Sequence, residues 1–215
     1  MAIIGLFFTY VSVVALCSYC LLMLFFCIAQ KDRLIRAFMP VLGAMILWTV
    51  SAVFMSVQLY PGVLFWDRIM IIGAVTVTFL LYYFVSIFTN SLRILPTVFW
   101  GIGTLVFIII NLNGFIVTDA GVITSTVMLW NREFEVIKFT YSIGILAPFI
   151  YAFALAMIIS TLLKTKRSIK QTNNSPTAGS MRLINNGIAI MFIGNLCNFI
   201  PALGQYPIDI LACFI

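Results

Sequence analysis

Long apolar runs bounded by charges or turn residues constrain this chain more than any other feature. They cover Ile3 to Ala29, Phe38 to Tyr60, Ile69 to Thr89 behind Trp66-Asp67-Arg68, Ile94 to Asn113, Phe139 to Leu163 and Leu183 to Ile200. A helix rising about 1.5 Å per residue needs about 20 residues to cross a hydrocarbon core of about 30 Å, and these runs match that length. Charged residues make up 8% of the chain, against about 25% in a water-soluble domain. The expected fold is therefore an all-α integral membrane bundle, one domain over residues 1–215.

The boundaries carry their own signals. Lys31-Asp32-Arg33-Leu34-Ile35-Arg36 closes span one, Pro61-Gly62 follows span two, and Asn90-Ser91-Leu92-Arg93 follows span three. The N-terminal flank of span one has no Lys or Arg, the reverse of a secretory signal. Between spans four and five, Gly114 to Lys138 changes character. Phe115-Ile116-Val117-Thr118, a turn at Asp119-Ala120-Gly121 and a β-branched run from Val122 to Val127 predict a β-hairpin outside the membrane. Pro201 ends span six, and a seventh apolar segment begins at Ile208. Its eight residues to Ile215 are too few to cross, so a truncated seventh span of a longer polypeptide is expected.

Loop charge sets the orientation. Odd loops hold nine cations, namely Lys31, Arg33, Arg36, Arg93, Lys164, Lys166, Arg167, Lys170 and Arg182. Even loops hold three, Arg68, Arg132 and Lys138. Positive loops stay cytoplasmic, which puts the N-terminus outside. The segment Lys164 to Arg182, with Asn173-Asn174-Ser175-Pro176 at its centre, is sufficiently explained as a topology signal and also offers a surface to anionic lipid. No nucleic-acid partner is needed to account for the net charge of +6.

Several chemistries are excluded at this level. With no His in the chain, Ser-His-Asp catalysis, His-ligated zinc and a phospho-accepting His are all missing. Cys17-Ser18-Tyr19-Cys20 has a CxxC spacing, but it lies on a lipid-embedded helix with no second pair, and ordinary apolar packing explains it. Gly101-Ile102-Gly103 lacks the third glycine of a phosphate loop. No enzyme activity, metal or cofactor is expected. Tyr60, Trp66, Trp100, Trp130 and Tyr206 fall near span ends, as interfacial anchors do.

Seven spans in this order, an N-out start, the insert between spans four and five, and Asn198-Phe199-Ile200-Pro201-Ala202-Leu203-Gly204 before a final span with an early acid, Asp209, form a pattern. Trp48 in span two, the Trp66-x-Arg68 opening of span three and the Pro201-x-x-Gly204 turn belong to it. The chain resembles the N-terminal seven-transmembrane sensory region of bacterial histidine kinases and diguanylate cyclases. That resemblance implies a receptor module in the bacterial inner membrane, binding a small or lipophilic ligand and signalling through helix seven to a cytoplasmic output domain absent from this chain. Membrane lipid, the ligand, the output domain and a second copy in a homodimer are the partners it implies.

Candidate ligand-binding residues are Asp67 and Arg68 at the mouth of span three, Asn111 and Asn113 at the end of span four, Asn195 and Asn198 on one face of span six, and Trp48. Membrane amides also serve simply to join helices. Arg68 and Asp209 are expected at similar depth, as an ion pair or as two independent snorkelling charges. A small transporter or exporter subunit is the alternative reading. Ion-coupled carriers generally need intramembrane ionisable groups, and here Asp67, Arg68 and Asp209 all sit at the outer edge.

Overall fold

A computed structural model describes residues 3–29, 32–129, 132–171 and 176–197. In chain order it contains α1 (Ile3–Ile28), α2 (Arg33–Ser56), α3 (Val63–Phe88), α4 (Ile94–Leu112), β1 (Val117–Leu129), β2 (Arg132–Ile143), α5 (Ala147–Gln171) and α6 (Pro176–Cys197). Five of these helices, α1 to α5, contain spans long and apolar enough to cross a membrane. The seventh span expected from Ile208, together with Asn198 and Asp209, lies outside the described residues.

Helix ends follow local chemistry. The Asp32 side chain accepts the Arg33 amide at 2.6 Å and starts α2, satisfying one of the amides a helix start leaves unpaired. At the α2–α3 turn the Trp66 indole donates to Leu59 O at 3.0 Å while its ring meets Phe54 edge-on at 4.6 Å. The last turn of α4 closes through bonds from Gly114 N to Asn111 O and from Phe115 N to Ile110 O, with Gly114 at φ +81°. This is a Schellman ending, which favours a residue free of the left-handed penalty.

The α3 helix is central, contacting α2, α4, α5 and β1. It approaches α2 most closely at Gly73, where an added Cβ would stand 2.9 Å from the Trp48 Cα and N. Buried hydroxyls on these helices bond back within their own helix: Thr49 to Met45 O, Ser51 to Leu47 O, Thr78 to Ala74 O and Ser86 to Tyr82 O. Such bonds let polar side chains sit in an apolar interior without an unmet partner. Leu42 and Ala52 pack on Ala15 and Tyr19 of α1, and Val85 packs on Ile158 and Ile188. The outward faces of α1 and α4 carry Leu21, Phe25, Leu95, Phe99 and Leu105 exposed, as lipid-facing surface requires. Cys17 and Cys27 are also exposed and free, and Cys20 is free and half-buried.

Three expectations are corrected. The hairpin between α4 and α5 is present, but Asp119-Ala120-Gly121 lies inside β1 rather than at its turn. A register irregularity falls between Val117 and Asp119, and Gly121 pairs with Thr140. Span five begins at Ala147 rather than Phe139, because Phe139 to Ile143 pairs with Val117 to Val122 as strand. Finally, the polar segment Lys164 to Arg182 is largely helical: α5 continues through Lys164, Lys166, Arg167 and Lys170 to Gln171, and α6 already includes Arg182. Long-chain basic residues have good helix propensity and extend a span beyond its apolar part. The same holds for Arg33 and Arg36, which lie in α2.

Candidate functional site

One end of the bundle collects polar groups. Asp67 and Arg68 stand in the second turn of α3, Asn111 ends α4, and the chain turns at Gly114 into the start of β1. The Asn111 amide donates to Arg68 O at 2.7 Å, tying α4 to α3. The Arg68 guanidinium reaches across to Val117 O at 3.5 Å. Gly114 makes room for it, since a Cβ there would lie 2.6 Å from Arg68 Nη2. Ile116 and Val117 pack with Val75, Ala147 and Ile150 beneath this cluster, fixing the base of the hairpin on α3 and α5.

Burial makes the cluster chemically unusual. Asp67 is 2% exposed and Asn111 is 1% exposed. Asp67 Oδ2, Arg68 Nε and Asn111 Oδ1 have no hydrogen-bond partner among the described residues. Tyr151 of α5 lies within electrostatic reach of the Asp67 carboxylate. Two free acceptors, Asp67 Oδ2 and Asn111 Oδ1, can take hydrogen bonds from a small polar molecule, and one free donor, Arg68 Nε, can give one to it. Leaving such atoms unmet costs about 1–3 kcal/mol each. Among the described residues no cluster of His, Cys, Asp or Glu has the makings of a metal site.

The sequence-derived candidates separate into groups. Asp67, Arg68 and Asn111 come together. Asn113 is exposed and donates to Ile109 O of its own helix at 2.8 Å, away from the cluster. Trp48, at 4% exposure, packs with Ala44, Val77 and Met191 opposite Gly73, six residues deeper along α3 than Asp67. Asn195 falls on α6. Asn198 and the Asp209 partner expected for Arg68 lie outside the described residues.

Gly114, the Val117 carbonyl and Tyr151 were not legible as site components. Gly114 does carry a signal, a glycine directly after an apolar run ending in Asn113, but its second role beside Arg68 depends on the return of the chain. Neither protein-family models nor curated proteins match this chain.

Proposed function

We propose that this protein is the membrane-embedded sensory module of a bacterial signal-transduction receptor. It sits in the inner membrane with its N-terminus and hairpin outside, and it binds a small polar or amphipathic ligand at Asp67, Arg68 and Asn111. The signal leaves through a seventh helix to a cytoplasmic output domain. The observation that carries this reading is the set of buried, unpartnered atoms Asp67 Oδ2, Arg68 Nε and Asn111 Oδ1 beside the α3–α4 junction. A ligand that completes these bonds bridges α3 and α4 and changes how they pack.

Mass spectrometry of the protein purified in neutral detergent tests the proposal. A small molecule should copurify with the wild-type chain and be lost from N111L. Retention of the same molecule by N111L, or no stabilisation of the wild type by any member of a panel of small polar compounds, counts against it. The buried carboxylate Asp67 within a membrane span favours one second reading, a transporter subunit. Uptake into proteoliposomes that is lost in D67N would select that reading instead.

A further inference from the structure

The opposite end of the bundle holds a second polar arrangement. Lys164 of α5 donates from Nζ to Ser86 Oγ at 2.7 Å, and the same ammonium stands 4.0 Å from the centroid of the Tyr82 ring. Both partners belong to α3 and both are buried, Ser86 at 0% and Tyr82 at 1% exposure. Ser86 Oγ already donates to Tyr82 O at 2.7 Å, so its lone pair is directed at the lysine. A Lys near a helix end ordinarily snorkels its charge into water. Here the ammonium is instead held against the protein, and of its three N–H groups Ser86 takes one and the ring face accommodates another.

Among the described residues no carboxylate pairs with it. The described residues place Arg33, Arg36, Arg93, Lys164, Lys166, Arg167, Lys170 and Arg182 at this end, with Asp32 as the one carboxylate. Asp32 accepts from the Arg33 amide at the start of α2. The α3–α4 turn lies directly alongside, since Ser91 N donates to Ser86 O at 2.9 Å, and Arg93 follows two residues later at the N-cap of α4. That N-cap makes no side-chain hydrogen bond, so the first α4 amides add to the positive potential.

Depth identifies the anion. From Ala147, about 30 Å of hydrocarbon takes up about 20 residues of α5 and ends at Lys166, which brings Lys164 within a turn of the far boundary of the apolar layer. Lipid phosphates lie at that level, whereas a soluble phosphate would have to leave water to reach it. Excess cationic charge disfavours a choline headgroup and favours a net-negative one.

We propose that Lys164, held between Ser86 and Tyr82, binds the phosphate of an anionic phospholipid, with Arg93 as the second cation. This site is independent of the ligand reading at Asp67, Arg68 and Asn111. Its role is to fix α5 against α3 at the membrane surface.

Native mass spectrometry of the full chain in neutral detergent tests this, because no anionic surface is then present to attract lysines in general. The wild type should retain added phosphatidylglycerol in preference to phosphatidylcholine by about tenfold, a difference of about 1.4 kcal/mol. K164Q should lose that preference, K164R should keep most of it, and K170Q, which alters an exposed cation on the same helix, should behave as wild type. S86A should weaken retention while leaving Lys164 itself in place, which guards against a K164Q variant that merely folds poorly. Equal losses in K164Q and K170Q would overturn the site in favour of diffuse attraction. Displacement of the lipid by millimolar inorganic phosphate would show a soluble-anion site and overturn the lipid assignment. Unchanged retention in K164Q would remove Lys164 from any role.

Discussion

Replacing Gly73 with Ala tests the closest helix contact in the bundle. The new Cβ would lie 2.9 Å from Trp48 Cα, 2.9 Å from Trp48 N and 3.0 Å from Trp48 Cβ. Two of these are backbone atoms, which no side-chain rotation can move. Relief requires α2 and α3 to part by about 0.5–1 Å, since carbon pairs settle at about 3.5–4.0 Å. Overpacking of this kind costs about 1–3 kcal/mol, and Ala recovers about 1 kcal/mol of helix propensity. The net expectation is a loss of about 0–2 kcal/mol against the wild type, and of about 1–3 kcal/mol against a Gly-to-Ala change that gains the propensity without the clash. For a chain of this size the loss against the wild type lowers Tm by up to about 8 °C. Gly43 on α2 supplies the control, because a Cβ there meets nothing within 4 Å. G43A should therefore melt at or slightly above the wild type. Thermal melts in one mild detergent, followed by tryptophan emission, compare all three proteins. If G73A melts as high as G43A, the close approach of α2 and α3 at Trp48 is wrong.

At the polar cluster, N111L should leave the ligand-free protein as stable as the wild type or up to about 2 kcal/mol more stable, because losing a membrane hydrogen bond of about 0.6–1 kcal/mol is offset by removing an unpartnered oxygen that costs about 1–3 kcal/mol. N111D should cost about 3 kcal/mol or more by burying a second carboxylate near Asp67; chemical denaturation in detergent separates the two variants, and equal effects would contradict the assigned amide orientation. G114A should cost about 1 kcal/mol through its φ of +81°, with the Arg68 guanidinium swinging aside; a neutral melt would show that this turn relaxes freely. For topology, single cysteines at positions 119 and 173 in a background lacking the native cysteines should differ in intact cells. An impermeant reagent should label 119 and spare 173, and the opposite pattern would invert the bundle.

How much of this protein was legible before folding depends on how far apart the deciding residues lie. Spans one to four emerge from sequence within a few residues, because hydrocarbon thickness sets the length of an apolar run and Asp32, Pro61-Gly62 and Gly114 act on their nearest neighbours. The hairpin was legible as a kind of structure but not in its register. Asp119-Ala120-Gly121 has the composition of a turn, and only pairing with Thr140, Tyr141 and Ser142 keeps it extended. Phe139 to Ile143 is equally apolar as helix or as strand, and periodicity over so short a run does not distinguish them.

Asp67 and Arg68 stood out as charges at a span mouth, yet what surrounds them was decided elsewhere in the chain. Asn111 arrives 43 residues after Arg68, and the Val117 carbonyl arrives 49 residues after it. Lys164 makes the same point from the opposite end. In sequence it is one of nine cations in odd loops, and charge counting treats them all alike. What separates it from Lys170 is the position of Ser86, 78 residues earlier on α3. A span's existence is written in local hydropathy because the bilayer acts on each segment separately. The partner of a polar group inside that span depends on which helix packs beside it, and only the assembled bundle decides that.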